Sequence, residues 1–308
     1  MQKAQLQLCV LVAIFTMGPA LSAQEPNGRP ISEKNAQVPV DTQLTIEASA
    51  PVQKAPIRSV LYMECKKRGM KGTAFLLSSG VVVTAAHVVC GCSAADVDAT
   101  TTLSEPIHFS ALVRDEDRDI AALVPTSRLS GGLELAPDTS LAVGQQVNTW
   151  GFPLIYNGPA PLLSVGYVSG LYEAAESNFC DPTQNSKKLN FKHIVVNGAF
   201  NPGNSGGPLF VFGQNKVVGI VIWKSIAFSN NVKAAIDGFH NPRATLGGTF
   251  TETLPDGTTR GVSDSEVMAR VLEEFYTKVQ VDIGEAVSSS EIRAFVKLYA
   301  KELSLTGN

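Results

Sequence analysis

From Ser59 onward the chain alternates short apolar runs with small clusters of Gly, Ser, Asn and Asp. The first runs are Ser59–Cys65, Gly72–Leu77, Val81–Thr84, Ile107–Val113 and Ile120–Val124. Gln146–Trp150, Leu163–Leu171, His193–Val196, Pro208–Phe212 and Val217–Trp223 follow. Many short β-like runs with no long helical period between them predict an all-β barrel or sandwich. The pattern changes after about residue 240. Gly247–Gly261 reads as a hairpin around Pro255-Asp256-Gly257. Ser263-Asp264-Ser265-Glu266 has the form of a capping box, with Val267, Val271, Leu272 and Phe275 behind it at helical spacing. Ser288 with Glu291 reads as the start of a second helix bearing Ile292, Phe295, Val296 and Tyr299. Both stripes are read as packing faces.

The N-terminal end has a different character. Lys3, the apolar run Leu8–Phe15, the Gly18-Pro19 break and Ala20-Leu21-Ser22-Ala23 together read as a signal peptide cut after Ala23. An uncleaved anchor is the competing reading; the apolar run is short for one, and no stable membrane anchor is expected. Residues 24–55, with Pro26, Pro30, Pro39 and Pro51 and the neighbouring Pro56, read as an extended leader. The divisions expected are therefore 1–23 signal peptide, 24–55 leader, 56–240 a β domain, and 241–308 a C-terminal hairpin with helices.

Composition narrows the function classes. With 44% hydrophobic and 17% charged residues, the 308-residue chain has ample material for a core. A formal net charge of −3 gives no electrostatic reason to bind nucleic acid. The one basic cluster, Lys66-Lys67-Arg68 with Lys71, reads as a solvated hairpin tip. Beyond the signal stand Cys65, Cys90, Cys92 and Cys180, an even count that suits disulfides in a secreted or periplasmic protein, with three possible pairings. Cys90 and Cys92 are too close for a comfortable zinc pair, so neither metal nor other cofactor is expected.

The chemistry concentrates in three places. Gly203-Asn204-Ser205-Gly206-Gly207 can form a tight turn that exposes a hydroxyl and aims backbone N–H groups at one point. His87 ends the run Val81–Ala86, and Asp119 opens the apolar run Ile120–Leu123. The remaining histidines lack such a setting: His108 is a strand filler, His193 sits on a strand, and His240 lies in a Gly/Asn/Pro loop. Asp115 and Asp117 read as solvated loop charges. The order His, Asp, Ser excludes the α/β-hydrolase arrangement, in which the serine comes first.

TAAH (84–87), DIAAL (119–123) and GNSGGP (203–208), in that order, resemble the trypsin/chymotrypsin-like serine proteases. Gly151-Phe152-Pro153, Ser164–Gly170 and Asn201-Pro202 bring the resemblance closest to the HtrA-type bacterial branch. It covers residues 56 to 240. It implies two antiparallel six-stranded β-barrels with a C-terminal helical extension, His87 and Asp119 coming from the first barrel and Ser205 from the second. In such an enzyme His87 is the base, Asp119 orients it, Ser205 attacks a polypeptide substrate, and the N–H groups of Gly203 and Ser205 hold the oxyanion. The resemblance also implies a Cys65–Cys90 bridge, leaving Cys92 with Cys180. It implies a pocket for the substrate side chain walled by Ala199 and the strand Ile220-Val221-Ile222. Trypsin-like enzymes specific for Lys or Arg place an aspartate where Ala199 stands, so a small or medium aliphatic preference is expected. The C-terminal region is too short and too helical for the peptide-binding PDZ domain common in HtrA-type proteins. Trp223-Lys224 and the cysteines near His87 depart from that branch. A catalytically silent, partner-binding module of the same fold is the alternative function; its usual mark, a missing triad residue, is absent.

Overall fold

The computed structural model describes residues 41–137, 141–154, 156, 160–175, 180, 190–198, 200–224, 249–253, 258–278 and 283–303. The expected signal peptide, His240, Ala199 and the Pro255–Gly257 hairpin tip lie outside them.

Two short helices open the described chain, α1 (Thr42–Ala48) and α2 (Pro51–Ser59). This differs from the extended leader expected up to residue 55. Asp41 caps α1 by accepting the Leu44 N–H, and Pro51 stands at the start of α2, where its missing N–H costs nothing. The helices are held by Ile46 and Ile57, both fully buried, and by Gln53, whose carbonyl oxygen accepts the Trp150 indole N–H at 2.7 Å.

The first sheet contains β1 (Val60–Cys65), β2 (Met70–Leu76), β3 (Val82–Thr84), β4 (Val97–Thr101), β5 (Pro106–Ile107), β6 (Phe109–Asp115) and β7 (Ile120–Pro125), in the order β5-β4-β1-β2-β3-β7-β6. It is a nearly closed, seven-stranded barrel-like sheet, one strand more than expected. The second is a closed six-stranded barrel, β10-β15-β12-β11-β8-β9. Its strands are β8 (Gln146–Gly151), β9 (Leu162–Ala174), β10 (Phe191–Gly198), β11 (Pro208–Val211), β12 (Val217–Lys224) and β15 (Ile283–Ser288). The two-barrel, all-β expectation therefore holds. The boundary at 240 does not match the barrel, because β15 pairs with both β10 and β12 and completes it. Between β12 and β15 lie the expected hairpin, β13 (Thr249–Thr253) with β14 (Thr259–Ser263), and the expected helix α3 (Asp264–Lys278). The last helix, α4 (Ser289–Leu298), starts after Ser288; that side chain meets the Ser290 hydroxyl instead of capping the helix.

Strand alternation sorts the apolar side chains into three layers. Leu61, Met63, Ala74, Leu76, Val82 and Leu123 fill the first sheet's interior. Val147, Val168, Val196, Leu209, Val218 and Val221 fill the closed barrel. The third layer joins the two: Phe75, Val83, Ile120 and Ala122 from the first meet Phe210, Ile220, Ile222 and Val287 from the second, with Ile292 and Phe295 of α4. That shared layer fixes the two halves relative to each other, and the site lies at its edge.

Candidate active site

His87 sits in a single 3₁₀ turn, Ala86–Val89, directly after β3. Its ring Nδ1 is 2.7 Å from Asp119 Oδ2, and its main-chain N–H donates to Asp119 Oδ1 at 2.8 Å. The main-chain carbonyl of Asp119 accepts the Ala86 N–H at 3.1 Å. Asp119 is completely buried and carries φ of +54°, a left-handed conformation that non-glycine residues seldom adopt. Both carboxylate oxygens and the carbonyl are thus committed to the Ala86-His87 segment, which orients the imidazole. Burial pulls the His87 pKa down, but the charge of Asp119 and its hydrogen bond outweigh that, and the imidazole stays protonated above its ordinary value.

Ser205 arrives from the other barrel. Its carbonyl accepts the Thr73 N–H of β2 at 2.8 Å. The next residue, Gly206, is pressed so close to the end of β3 that a Cβ there would lie 2.3 Å from Thr84 Oγ1 and 2.9 Å from the Ala85 nitrogen. The serine turn therefore abuts the segment leading into His87. Strand β12 holds its far side, with the Gly206 N–H donating to Val221 O at 2.7 Å and the Val221 N–H to Gly207 O at 2.9 Å. In this conformation the Ser205 hydroxyl donates to the main-chain carbonyl of Ile222 at 3.3 Å.

Gly203 has φ of +98°, and a Cβ there would lie 2.2 Å from the Phe152 carbonyl oxygen, so only glycine fits. The Pro202 carbonyl accepts the Leu154 N–H at 2.8 Å. Because the peptide is trans, this aims the Gly203 N–H the opposite way. Among the described residues neither the Gly203 N–H nor the Ser205 N–H donates a hydrogen bond.

Sequence reasoning missed Thr73. It is fully buried, and its hydroxyl donates to the Gly203 carbonyl at 2.6 Å while accepting the Phe152 N–H at 3.0 Å. With its main-chain N–H on Ser205, Thr73 ties β2 to both ends of the glycine-serine turn. Nothing local in Gly72-Thr73-Ala74 announces partners 130 positions away.

The strand Ile220-Val221-Ile222 departs from its expected place in a pocket wall. Ile220 and Ile222 point into the layer between the barrels and Val221 into the barrel interior, all three at 1% exposure or less. Alternation places neighbours on opposite faces, so they cannot share one wall. It is the strand's main chain that meets the site. Asp115 also departs from its expected solvated state. Its side chain is 11% exposed and paired with Arg118.

The disulfides correct the expected pairing: Cys65 is bonded to Cys92 and Cys90 to Cys180. Gly91, at φ of +72°, reverses the chain between Cys90 and Cys92 and turns them apart. Cys92 thus faces β1, and Cys90 faces the β9–β10 connection of the other barrel. His193 is buried on β10, stacked on Tyr172 at 4.4 Å between ring centres. Lys66, Lys67 and Arg68 are exposed on the β1–β2 turn as expected.

The trypsin-like peptidase domain family matches residues 72–220, a span that contains His87, Asp119 and Ser205. That match spans just under half of the chain. The chain is 32% identical over 184 residues to Protease Do-like 1, chloroplastic, of Arabidopsis thaliana, covering 58% of this chain and 38% of the relative. It is 34% identical over 157 residues to HhoA of Synechocystis sp., covering 49% and 36%. The chain thus spans less than two-fifths of the length of these curated relatives. Its fold matches the inactive form of the Rv3671c protease of M. tuberculosis with a TM-score of 0.52 and 18% identity, covering 84% of this chain and 96% of that one. No helix among the described residues is long and apolar enough to cross a membrane.

Proposed function

We propose that this chain is an exported serine endopeptidase acting through an acyl-enzyme, with His87, Asp119 and Ser205 as its triad. The observation that carries this reading is the His87–Asp119 pair. A fully buried carboxylate, held in a left-handed backbone conformation, accepts from both the ring and the main chain of one histidine, beside a glycine-flanked serine.

The reaction starts with rotation of the Ser205 side chain from the Ile222 carbonyl toward His87 Nε2. His87 takes the hydroxyl proton as the oxygen attacks the scissile carbonyl carbon, and Asp119 stabilises the imidazolium that forms. The uncommitted N–H groups of Gly203 and Ser205 receive the oxyanion, a contribution of about 3 kcal/mol for each such donor. His87 then protonates the leaving amine, whose departure leaves the acyl group on Ser205. Water, deprotonated by the same histidine, releases it. Export is supported by the two disulfides, which persist in oxidising compartments. A preference for cleavage after Ala, Val or Leu rests on Ala199 in place of an acidic residue; efficient cleavage after Arg in a peptide library would refute it.

Labelling with a fluorophosphonate probe tests the whole reading. The chain is expected to label at Ser205, and Ser205→Ala and His87→Ala are expected to abolish labelling. A folded chain that does not label would instead be a catalytically silent module.

A further inference from the structure

The residue before Asp119 is Arg118, and its guanidinium reaches outside the hairpin that carries it. Its Nε donates to Glu291 Oε2 at 3.0 Å, and its Nη1 donates to Asp115 Oδ2. The main-chain N–H of Arg118 donates to the other Asp115 oxygen at 3.1 Å. All three side chains are largely withdrawn from water, at 15% exposure for Arg118, 15% for Glu291 and 11% for Asp115. Glu291 lies in the first turn of α4, and its second oxygen accepts the Lys192 N–H of β10 at 3.4 Å. Phe295, one turn further along α4, is fully buried in the layer between the barrels together with Ile120. The C-terminal helix therefore holds the Asp119 segment on both sides, through a charge at Arg118 and through the apolar layer that Phe295 shares with Ile120.

This arrangement answers a local problem. A left-handed aspartate is not a conformation the chain prefers, so it persists only where its flanks are fixed. Asp115 and Glu291 fix the preceding residue, and the apolar layer that includes Phe295 buries the following one. A short pair between a guanidinium and two carboxylates holds direction as well as distance. Without the arginine, Asp115 and Glu291 would face each other as like charges beside Asp119.

We propose that Arg118 is a positioning residue: clamped by Asp115 and by Glu291 of α4, it holds Asp119 in the geometry that orients His87, so that docking of the C-terminal helix is required for Ser205 to react. This rests on the proposed triad. It makes helix α4 a working part of the site, with Arg118 acting through Asp119 and not on substrate.

The test is the kinetics of fluorophosphonate labelling, separated into the maximal inactivation rate and the half-saturating probe concentration, with melting curves for each variant. Arg118→Ala and Glu291→Gln are expected to lower the maximal rate at least tenfold while half-saturation stays within twofold. Arg118→Lys, which keeps a charge but not the fork, is expected to recover part of the loss. The double variant Arg118→Ala/Glu291→Gln is expected to be no slower than the slower single one, because both break the same clamp. The proton between His87 Nδ1 and Asp119 gives a second readout as a low-field nuclear magnetic resonance signal. It is expected to broaden or shift in Glu291→Gln, the nearly isosteric change. Folded variants with the unaltered rate and an unaltered signal would overturn the clamp. So would losses that multiply in the double variant. Failure of the unaltered chain to label would remove the triad reading, and the clamp with it.

Discussion

A single residue decides most at Gly203. Any side chain there meets the Phe152 carbonyl at 2.2 Å and also faces a φ that L-residues resist. Gly203→Ala is therefore expected to swing the peptide that carries one of the proposed oxyanion donors and to lower kcat about a hundredfold or more, with KM little changed; single-turnover kinetics on a peptide ester check this. Asp119→Asn should nearly abolish turnover, while Asp117→Asn leaves it close to normal, and the reverse result would transfer the role. The His87 titration follows from the same pair. Its pKa is raised in the folded protein above the ordinary imidazole value of about 6.5, so in the proposed mechanism the neutral, base-competent form is reached only at higher pH. The acid limb of the kcat/KM profile is expected to lie above that value. By the same sign, the pair's contribution to stability is full below the unfolded pKa and fades as pH rises through the folded one. His87 and Ser205 were legible because their local strings are unusual. Thr73 and Arg118 were not, because what matters about them is a partner far away in sequence.

Elements explain why those distant partners matter. The apolar runs of β1–β3 and β6–β12 are strong enough to read directly, whereas β4, Val-Asp-Ala-Thr-Thr, is half polar and β5 is only two residues long. Strand β15, Ile-Gly-Glu-Ala-Val-Ser, is short and half polar, and only its pairing with β10 and β12 reveals it as a barrel strand. Helices α1 and α2 were hidden for another reason: prolines were read as breaking structure, yet Pro51 stands where a helix tolerates it. Strand β2 shows how an element from one barrel shapes the turn of the other. The Thr73 hydroxyl satisfies the Gly203 carbonyl and the Phe152 N–H at once. Thr73→Val keeps the shape but strands both groups in a dry place. It is expected to cost about 2 kcal/mol of stability in denaturant titrations and to lower the rate of probe labelling. Thr73→Ser, which keeps the hydroxyl, should restore most of both. A Val variant as stable and as reactive as the natural chain would show that the turn holds itself.

At the scale of the molecule the question is what keeps two barrels in register when the site uses residues from each. The layer between them is apolar and continuous, from Ile46 and Ile57 through Phe75 and Ile120 to Ile220 and Phe295. It is non-directional and tolerates small slips, whereas a base and a nucleophile do not. The Cys90–Cys180 bridge adds direction. It starts three residues after His87, ends in the β9–β10 connection, and closes a span of 90 residues. Cys65–Cys92 closes only 27 and stays within the first sheet. Restricting the unfolded chain predicts about 4.6 kcal/mol for the longer loop and about 3.5 kcal/mol for the shorter. The paired replacement Cys90→Ala/Cys180→Ala should therefore cost more stability than Cys65→Ala/Cys92→Ala. Stability alone does not separate a staple from a guide to geometry. Labelling of Ser205 well below the melting range does, because the folded fraction is then close to complete for both variants. If the long bridge keeps His87 in register with the serine turn, its removal slows labelling there, and removal of the short bridge does so less. Equal labelling rates, with the stability difference intact, would assign register to the apolar layer and to Thr73.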